Sequence, residues 1–198
     1  MFTGIIKQMG TVREVRSLAH GAVLHCDAPP PLTPALGDSI AVNGCCLTAE
    51  ASGPGWFTAR LSPETVQRTT LGSLQVGSRV NLELPLTLQD LLGGHLVLGH
   101  VDGVGAVLAM ERQGDTHWLR IRAPGELLPF LAVKGSVAVD GVSLTIAELT
   151  GDVFAIALIP HTLHATIAQW YHPGTTVNLE ADCLARYVKR LMEGPFVT

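Results

Sequence analysis

The apolar positions of this chain fall into short runs rich in β-branched residues, which predict β-strands rather than long helices. Two of these runs, Ser39–Val42 and Ser136–Val139, end in an Asn-Gly and an Asp-Gly dipeptide. Both dipeptides are typical of the tight turn of a β-hairpin, because their residues readily adopt positive φ angles. Later runs at Val80–Leu84 and Val177–Glu180 follow turns that contain glycine. These later runs predict a closing strand for each half of the chain.

The chain also contains an internal repeat. Residues 39–48, SIAVNGCCLT, and residues 136–145, SVAVDGVSLT, share six of their ten positions at an offset of 97. Leu61, Pro63 and Thr65 recur at the same offset, and near the two starts the offset becomes 95. Two copies of so long a unit indicate a duplicated small domain rather than a solenoid.

Each half has about six short strands, and it closes most simply into a small barrel because closure removes the exposed sheet edges. The predicted fold is therefore all-β, with two tandem homologous six-stranded Greek-key barrels, short helices and a C-terminal α-helix. We place the first barrel at residues 1–95, the second barrel at 96–184 and the terminal helix at 185–198.

Two kinds of helix are predicted beside the strands. Ser62, Pro63 and Glu64 have the order of an N-cap, a first-turn proline and a first-turn acid, so a short helix is expected at one barrel mouth. After Asp182, apolar residues recur every three or four positions with basic residues on the other face, as in an amphipathic helix. The apolar residues are Leu184, Tyr187, Val188 and Leu191. We favour a subunit contact for this stripe, with packing on its own barrel as the alternative.

The composition narrows the possible classes of protein. With 13 Lys and Arg against 17 Asp and Glu, the formal charge is −4, which argues against nucleic-acid binding. The apolar stretch at 93–101 is broken by His95, Gly99 and His100, so no membrane span is predicted. No basic segment followed by an apolar one opens the chain, and the four cysteines lack C-x-x-C spacing. We therefore expect a cytoplasmic protein with free thiols.

Neither a metal site nor a nucleotide site is predicted. His95 and His100 are five positions apart and lack the H-E-x-x-H arrangement that zinc enzymes use. The glycine-rich stretch 99–105 lacks both the G-x-G-x-x-G order and the strand–helix context of a dinucleotide site, and the chain has no P-loop. These glycines are better explained as turns that lead into the second barrel.

Differences between the two halves mark candidate chemistry, because a duplicated domain that binds a ligand twice is expected to keep its binding frame. Three differences within the shared blocks are Cys46 against Ser143, Pro85 against Asp182, and Ile5 against His100. The second half thus has a hydroxyl, a carboxylate and an imidazole where the first has a thiol, a proline and an aliphatic group.

Each of these residues also has a purely structural interpretation. A single histidine is more often packed or solvent-facing than catalytic, and Ser143 is a weak nucleophile unless a base lies beside it. Asp182 can cap the terminal helix, and Cys46 can be a small buried apolar residue. The catalytic interpretation is favoured because the differences fall together in the blocks that the halves share.

Six sequence blocks carry a resemblance to a known family. They are MFTGII at 1–6, NGCCLT at 43–48, LSPET at 61–65, GGHLVLGHVDG at 93–103, DGVSLT at 140–145 and NLEAD at 178–182. In this order, along essentially the whole chain, they resemble riboflavin synthase of the two-barrel alpha-chain type and its fluorescent lumazine-protein relatives.

The resemblance implies the final step of riboflavin biosynthesis, a dismutation of two 6,7-dimethyl-8-ribityllumazine molecules. A four-carbon unit passes from one molecule to the other and gives riboflavin and 5-amino-6-(ribitylamino)uracil. The resemblance also implies that no metal or redox cofactor is required. It implies a homotrimer in which the terminal helices associate and a barrel of one subunit faces a barrel of its neighbour. An association with lumazine synthase is left open.

The resemblance further assigns candidate roles to individual residues, with Ser143 and His100 as base or nucleophile-assisting groups. The candidate catalytic residues are Cys46, His100, Ser143, Thr145 and Asp182. Substrate-binding candidates before the linker are Met1, Phe2, Thr3, Gly4, Ile5, Ser39, Cys46, Thr48, Ser62, Glu64 and Thr65. Those after it are Gly99, His100, Val101, Lys134, Ser143, Thr145, Ile159, Pro160 and Thr162. Cys46 and Thr48 would line the first pocket, and His100, Ser143, Thr145 and Asp182 would line the second.

The amino terminus is expected to belong to the site as well. Phe2 and Thr3 would lie over the ring system at the barrel interface, so trimming Met1–Thr3 is expected to lower activity with little change in melting temperature.

Two departures from the family pattern concern loop geometry only. Pro85 stands where a basic or polar residue is expected, and the segment Gln169–His172 is unusual.

Two other classes of function compete with the enzyme. A non-catalytic lumazine- or flavin-binding antenna protein would share the fold, but such proteins typically lose polar groups from one half. This chain keeps the polar groups of both halves, which favours the enzyme. A ligand-free structural module predicts no uptake of ribityllumazine. A fluorescence titration with that compound tests the structural module, and incubation with it alone separates the enzyme from the antenna protein.

Overall fold

The first half of the chain forms a closed six-stranded antiparallel barrel in the computed structural model, which describes residues 1–194. Its elements are β1 Gln8–Ser17, β2 Ala22–Asp27, β3 Ser39–Val42, β4 Cys45–Gly53, β5 Trp56–Leu61, α1 Pro63–Arg68, a 3-10 helix at Thr70–Ser73, and β6 Arg79–Glu83. The strands follow the order β1-β2-β5-β4-β3-β6 around the barrel. The hairpin of β3 and β4 thus lies between β5, which follows it directly in the sequence, and β6, which does not.

The second half repeats this architecture. Its elements are β7 Gly103–Gln113, β8 Thr116–Arg122, a 3-10 helix at Leu128–Phe130, β9 Ser136–Val139, β10 Val142–Thr150, β11 Val153–Leu158, α2 Pro160–Ala165, a 3-10 helix at Ile167–Trp170, β12 Thr176–Ala181, and α3 Cys183–Met192. Its closed order, β10-β11-β8-β7-β12-β9, is the order of the first barrel with each strand replaced by its repeat. The predicted all-β fold with two six-stranded barrels is confirmed.

Each barrel encloses an apolar core of its own. Along β2, buried residues alternate with half-buried ones, as expected for a strand with one face toward a core. Leu24, Phe57 and Leu82 are fully buried in the first barrel, and Ile121 and Phe154 are fully buried in the second. The two barrels therefore have separate cores, and the contact between them is built by other residues.

Matched asparagines make much of this contact. The Asn81 side-chain amide donates to the backbone oxygen of Asp140 at 2.9 Å, and the Asn178 amide donates to the backbone oxygen of Asn43 at 2.8 Å. The side-chain oxygen of each asparagine accepts the first backbone N–H of the opposite barrel's 3-10 helix, at 2.9 and 2.7 Å. The repeat thus explains the interface as well as the barrels, because each half supplies the same bonds to the other.

The glycines of the two hairpin turns allow the barrels to approach closely. Gly44 and Gly141 have φ angles of 73° and 79°, in the left-handed region that favours glycine. A Cβ on Gly44 would lie 2.6 Å from the backbone nitrogen of Gly141, and a Cβ on Gly141 would lie 2.7 Å from that of Gly44. The Asn-Gly and Asp-Gly dipeptides therefore serve both the turns and the contact between barrels.

A buried carboxyl at this interface predicts how stability depends on pH. Burial raises the pKa of Asp140 from 3.8 to about 7, although the Tyr171 hydroxyl and the Asn178 backbone N–H both donate to it. The raised pKa means that the folded state holds this proton more tightly than the unfolded state does. The stability that the protonated carboxyl contributes is thus complete below about pH 4 and is lost as the pH rises toward 7.

We expect the variant Asp140→Asn, which copies Asn43 of the first barrel, to remove this dependence. The quantity to compare is the free energy of unfolding of the variant minus that of the unaltered chain. This difference should increase by about 1–3 kcal/mol from pH 5 to pH 7. Urea denaturation at the two pH values measures the difference. Other buried carboxyls titrate in both proteins and cancel in the comparison. Parallel curves for the two proteins would contradict the assignment.

The terminal helix α3 begins two residues before the predicted position, and residues 195–198 of the predicted helix lie outside the described residues. It is fixed to the second barrel by the Arg186–Asp102 ion pair at 2.6 Å and by the Lys189 ammonium, 4.8 Å from the Phe130 ring centre. Its apolar stripe is more than half exposed at every position, namely at Leu184, Tyr187, Val188 and Leu191. The stripe therefore does not pack on its own barrel, and the subunit contact stays a prediction.

The sequence predicts neither a membrane-spanning segment nor a metal site. No helix within residues 1–194 has the length and hydropathy needed to cross a bilayer. In the same residues, no group of three or more His, Cys, Asp or Glu side chains is arranged to hold a metal ion.

Candidate functional site

A cavity of about 360 Å³ lies on the outer face of the second barrel. Ser143, Thr145 and Ala147 of β10 form one wall, since alternate residues of a strand point to the same side. The remaining lining residues are Lys134, Leu144, Ile156, Ala157, Leu158, Ile159 and Thr162. The structure thus brings together five of the predicted site residues, Lys134, Ser143, Thr145, Ile159 and Thr162. A larger cavity of about 400 Å³ lies between the barrels and contains none of the predicted residues.

The first barrel carries the corresponding surface on β4. Cys46 and Thr48 alternate with buried neighbours, and Thr48 pairs with Ser39 of β3. Ser62 caps α1 as predicted, because its hydroxyl accepts the Thr65 backbone N–H at 3.0 Å. Five of the predicted residues therefore lie on this surface or at its rim, namely Ser39, Cys46, Thr48, Ser62 and Thr65. Glu64, in contrast, is bound by Arg68 on the exposed side of α1 at 2.5 Å.

Two chain segments cross from one barrel to the other beside these surfaces. The amino-terminal segment reaches the second barrel, where the Ser143 backbone N–H donates to the Gly4 oxygen at 2.8 Å. The linker reaches the first barrel, where the Cys46 backbone N–H donates to the Gly99 oxygen at 2.9 Å. A Cβ on either glycine would lie within 2.6 Å of the Cβ of its partner residue. Only glycine allows this approach.

The crossing corrects the predicted assignment of several residues to the two pockets. His100 and Gly99 were expected beside Ser143, but Gly99 lies against Cys46 of the first barrel, and His100 follows it directly in the chain. Val101 packs against the core of the first barrel for the same reason. The two halves exchange these segments, so the residue that follows Gly4, the exposed Ile5, lies on the side of the second pocket.

A buried glutamate holds each crossing segment. Glu83 accepts the Thr3 backbone N–H and the Thr3 hydroxyl, both at 2.7 Å, and the Gly4 N–H at 3.1 Å. Glu180 accepts the N–H groups of Leu98 and Gly99 at 2.8 and 3.0 Å. Burial raises the pKa of both carboxyls, and the bonds that they accept oppose this shift. The glutamates thereby position the predicted residues Thr3, Gly4 and Gly99.

Phe2 lies between the barrels. It is completely buried and forms a small apolar cluster with Ala41, Val97 and Ala138. Its backbone pairs with Val97, with N···O distances of 2.7 and 3.1 Å. The half-buried Cys46 of the first barrel's surface packs against this cluster, whereas the neighbouring Met1 is exposed. The contacts of Phe2 are structural, which changes the expected result of trimming the terminus.

His95 is the residue that contacts Ser143. Its Nδ1 lies 2.7 Å from the Ser143 Oγ, and the side chain is 8% exposed. Burial lowers the pKa of His95, and the nearby charge of Asp182 opposes this shift. The imidazole is therefore neutral near pH 7 and has one unprotonated nitrogen. In the tautomer with Nδ1 unprotonated, that nitrogen accepts a hydrogen bond from the Ser143 hydroxyl. Asp182 also accepts the Leu184 N–H at 3.0 Å, so it caps α3 as its structural interpretation predicted.

His100 takes no part in this pair. Its side chain is exposed, and among the described residues no hydrogen bond joins its ring to Ser143. Its backbone oxygen lies 3.5 Å from an Arg186 nitrogen. The histidine that contacts Ser143 is therefore the other histidine of the linker, His95.

Comparison with known proteins gives this geometry its context. The family model of the lumazine binding domain matches twice, at residues 3–85 and 98–182, in agreement with the repeat. Riboflavin synthase of Brucella abortus is 44% identical over 98% of both chains, and that of Mycobacterium tuberculosis is 45% identical over 97% of this chain and 98% of its own. The enzyme of Bacillus subtilis is 41% identical over 97% of this chain and 90% of its own.

The chain belongs to the riboflavin synthase family. A crystal structure of LumP complexed with 6,7-dimethyl-8-(1'-D-ribityl) lumazine has the same fold, with a TM-score of 0.83, 23% identity and coverage of 91% of this chain and 99% of that one. A LumP structure complexed with riboflavin aligns with the same TM-score and coverage at 25% identity. The predicted resemblance is confirmed.

Three site residues of this riboflavin synthase family member escaped the sequence reasoning. Glu83 and Glu180 occupy matching positions of the repeat, and the recurrence of a glutamate beside the buried leucine of each closing strand was the available signal. His95 had no such signal. Subtracting the offset of 95 from His95 gives a position before Met1, so the first half has no residue with which His95 can be compared.

Proposed function

We propose that the chain catalyses the riboflavin synthase reaction, with one 6,7-dimethyl-8-ribityllumazine molecule bound at each barrel. The observation that carries this proposal is the pair of related but unlike strand surfaces, one with Cys46 on β4 and the other, which lines a cavity, with Ser143 beside His95. Two copies of one compound require two similar sites, and a reaction between them requires that the sites act differently. Bringing the two ligands together in the correct orientation supplies up to about 7–11 kcal/mol.

The proton chemistry is assigned to the Ser143–His95 pair. As the Ser143 oxygen takes a proton from the methyl group of its ligand, the serine's own proton passes to His95 Nδ1 across 2.7 Å. The ligand becomes an anion and the imidazole becomes a cation, so the charges balance. The nearby carboxylate of Asp182 stabilises the imidazolium. Such positioned proton transfer contributes about 10²- to 10⁴-fold.

The test is incubation of the purified chain with 6,7-dimethyl-8-ribityllumazine alone, followed by absorbance. The proposal expects riboflavin to form, with one equivalent of 5-amino-6-(ribitylamino)uracil. Binding without turnover would instead support the second candidate, a ligand-binding antenna protein, which the fold shared with LumP favours. Absence of binding would contradict both.

The proposal includes a homotrimer in the cytoplasm. The apolar stripe of α3 supports the trimer, because it is exposed along its length while the other face is held by Arg186. The four free cysteines are typical of a reducing compartment. Association with lumazine synthase stays an open prediction.

The variant Leu191→Glu tests the trimer. Leu191 is 72% exposed, so a charge there costs little in an isolated chain but is unfavourable within an apolar subunit contact. We expect analytical ultracentrifugation to show a shift from trimer toward monomer, together with lower activity. Arg190→Glu, on the neighbouring position of α3, is the control for a change of charge. A Leu191→Glu protein that sediments as the unaltered chain does would contradict this use of the helix.

A further inference from the structure

The interbarrel cavity is the space of about 400 Å³ between the two barrels, and none of the predicted site residues lines it. Its volume lies within the range of about 300–1,000 Å³ that is typical of small-molecule sites. The repeat offset of 97 relates most of its lining residues in pairs, so matching parts of the barrels face each other across it. The pairs are Asn43 and Asp140, Thr70 and Ile167, Ser73 and Trp170, Leu74 and Tyr171, Ser78 and Thr175, and Arg79 and Thr176, and His172 completes the lining.

The two halves supply different chemistry to this cavity. Arg79 comes from the first half, where the second half has Thr176, and the aromatic side chains of Trp170 and Tyr171 come from the second. Both aromatic residues belong to the segment 169–172, whose sequence departs from the family pattern. The departure therefore forms part of one cavity wall, for which the proposed reaction has no use.

Arg79 is oriented by an aromatic ring rather than by a carboxylate. Its guanidinium carbon lies 4.5 Å from the centre of the Trp170 ring, within the range of a cation–π contact. Eight of the ten arginines form an ion pair with Asp or Glu, but among residues 1–194 no carboxylate lies within ion-pair distance of Arg79. The stacked guanidinium therefore keeps its N–H donors for another acceptor.

Three hydroxyl groups of the lining add donors. The Ser78 oxygen accepts the Gln75 N–H at 3.0 Å, and at the matching position the Thr175 oxygen accepts the His172 N–H at 3.1 Å. Because both oxygens act as acceptors in these bonds, their O–H groups are free to donate. The Thr70 hydroxyl is buried without a hydrogen-bond partner among residues 1–194, which is unfavourable for a polar group. A ligand with several oxygens gives such donors a partner.

Asp140 is the one acidic residue of the lining, and it does not neutralise Arg79. Its carboxyl oxygens accept the Asn178 N–H at 2.8 Å and the Tyr171 hydroxyl at 2.6 Å. Burial raises the pKa of Asp140 to about 7, so the carboxyl is mostly protonated in more acidic solution. The permanent charge that a ligand meets in this cavity is therefore the cation of Arg79.

We propose that the interbarrel cavity binds a phosphate monoester, with its phosphate group held by Arg79 and by the hydroxyls of Ser78 and Thr175. The three free oxygens of such a phosphate have a tetrahedral arrangement, so they accept from a guanidinium and from hydroxyl groups in different directions at once. A carboxylate has only two oxygens, in one plane. The organic group of the ester occupies the apolar side of the cavity, beside Leu74, Ile167 and Trp170.

A ligand in this cavity also stabilises the contact between the barrels. The bonds that Asn81 and Asn178 make across that contact end at four residues of the lining, namely Asn43, Thr70, Asp140 and Ile167. A ligand that binds the folded contact but not the unfolded chain raises the melting temperature. The inference does not rest on the proposed function, because no residue assigned to the reaction lines this cavity.

The experiment titrates phenyl phosphate into the full-length chain by calorimetry, with inorganic phosphate, benzoate and phenol as comparison probes. We expect one phenyl phosphate per chain, bound at least tenfold more tightly than any of the other three. Inorganic phosphate tests the organic group, benzoate tests the tetrahedral anion, and phenol tests the charge. In a Ser143→Ala background, saturating 6,7-dimethyl-8-ribityllumazine should leave the affinity for phenyl phosphate within twofold, because the sites are separate.

Variants of the lining locate the binding. Arg79→Ala should weaken phenyl phosphate binding at least tenfold and abolish the rise in melting temperature, and Arg79→Lys should recover part of the affinity. Thr70→Val should weaken binding at least threefold without lowering the melting temperature of the free protein, because it removes an unpartnered hydroxyl. Arg16→Ala is the matched control. Arg16 is also exposed and without an ion pair among residues 1–194, and it lies on β1 outside the cavity.

Four outcomes would overturn the inference. They are an affinity that stays within twofold in Arg79→Ala, an equal loss in Arg16→Ala, equal affinities for phenyl phosphate and one of the other probes, and displacement of phenyl phosphate by the ribityllumazine. Absence of phenyl phosphate binding to the unaltered chain would do the same. Riboflavin formation is not a readout of this experiment, so a failure of the proposed function and a failure of this inference are distinguishable.

Discussion

Replacement of Ser143 by alanine is expected to lower kcat for riboflavin formation by about 10²- to 10⁴-fold while ligand affinity changes less than tenfold. The hydroxyl is one small group of a large pocket, so its removal costs little binding. It is, however, the group that lies 2.7 Å from the neutral imidazole of His95. Stopped-flow absorbance measures the rate, and a fluorescence titration measures the affinity.

His95 should show the same loss if the two residues act as a unit. We expect His95→Gln to lower kcat by a similar factor, and the double variant to be little worse than either single one. Ser52→Ala, a half-buried serine on β4 away from both pockets, is the control. Fully additive losses would show that the 2.7 Å contact has no role in catalysis. Loss of affinity in parallel with rate would show that Ser143 only positions the ligand.

Replacement of Phe2 by alanine is expected to lower the free energy of unfolding by about 3–5 kcal/mol and to lower activity as well. The ring is completely buried among Ala41, Val97 and Ala138, so its removal leaves a cavity between the barrels. Such a loss is a large part of the 5–15 kcal/mol that stabilises a typical protein. Urea denaturation and the riboflavin assay measure the two effects.

This result would replace the expectation drawn from the sequence, in which trimming Met1–Thr3 leaves the melting temperature nearly unchanged. Trimming also removes the three hydrogen bonds that Thr3 and Gly4 give to the buried Glu83, or weakens them. Leu88→Ala, at a fully exposed leucine, is the control and should change stability by less than about 0.5 kcal/mol. An unchanged stability in Phe2→Ala would restore the original view that the segment serves only the ligand.

Local sequence features were sufficient to predict the barrels. The Asn-Gly and Asp-Gly turns, the short β-branched runs and the repeat are local or periodic signals, and the structure follows them from Ser39–Val42 to Thr176–Ala181. One wall of the second pocket was predictable as well. Ser143 and Thr145 are alternate residues of one strand, so their side chains lie on the same face.

The exchange of segments was not predictable in this way. Whether Gly99 meets its own barrel or the neighbouring one depends on tertiary packing, and the repeat fits both arrangements. The sequence therefore predicts His100 in the pocket of Ser143, although the preceding residue, Gly99, lies against Cys46. His95 was considered only as a metal ligand, since nothing in its local sequence places it 2.7 Å from a serine 48 positions away.

The central claim is that two unlike pockets in one chain hold two copies of the same compound. Its most direct test is an equilibrium titration of 6,7-dimethyl-8-ribityllumazine into the Ser143→Ala variant, with the number of bound molecules per chain as the measured quantity. The account predicts two molecules per chain, bound with different affinities. One molecule per chain, or two with identical affinities that no substitution in a single barrel separates, would contradict it.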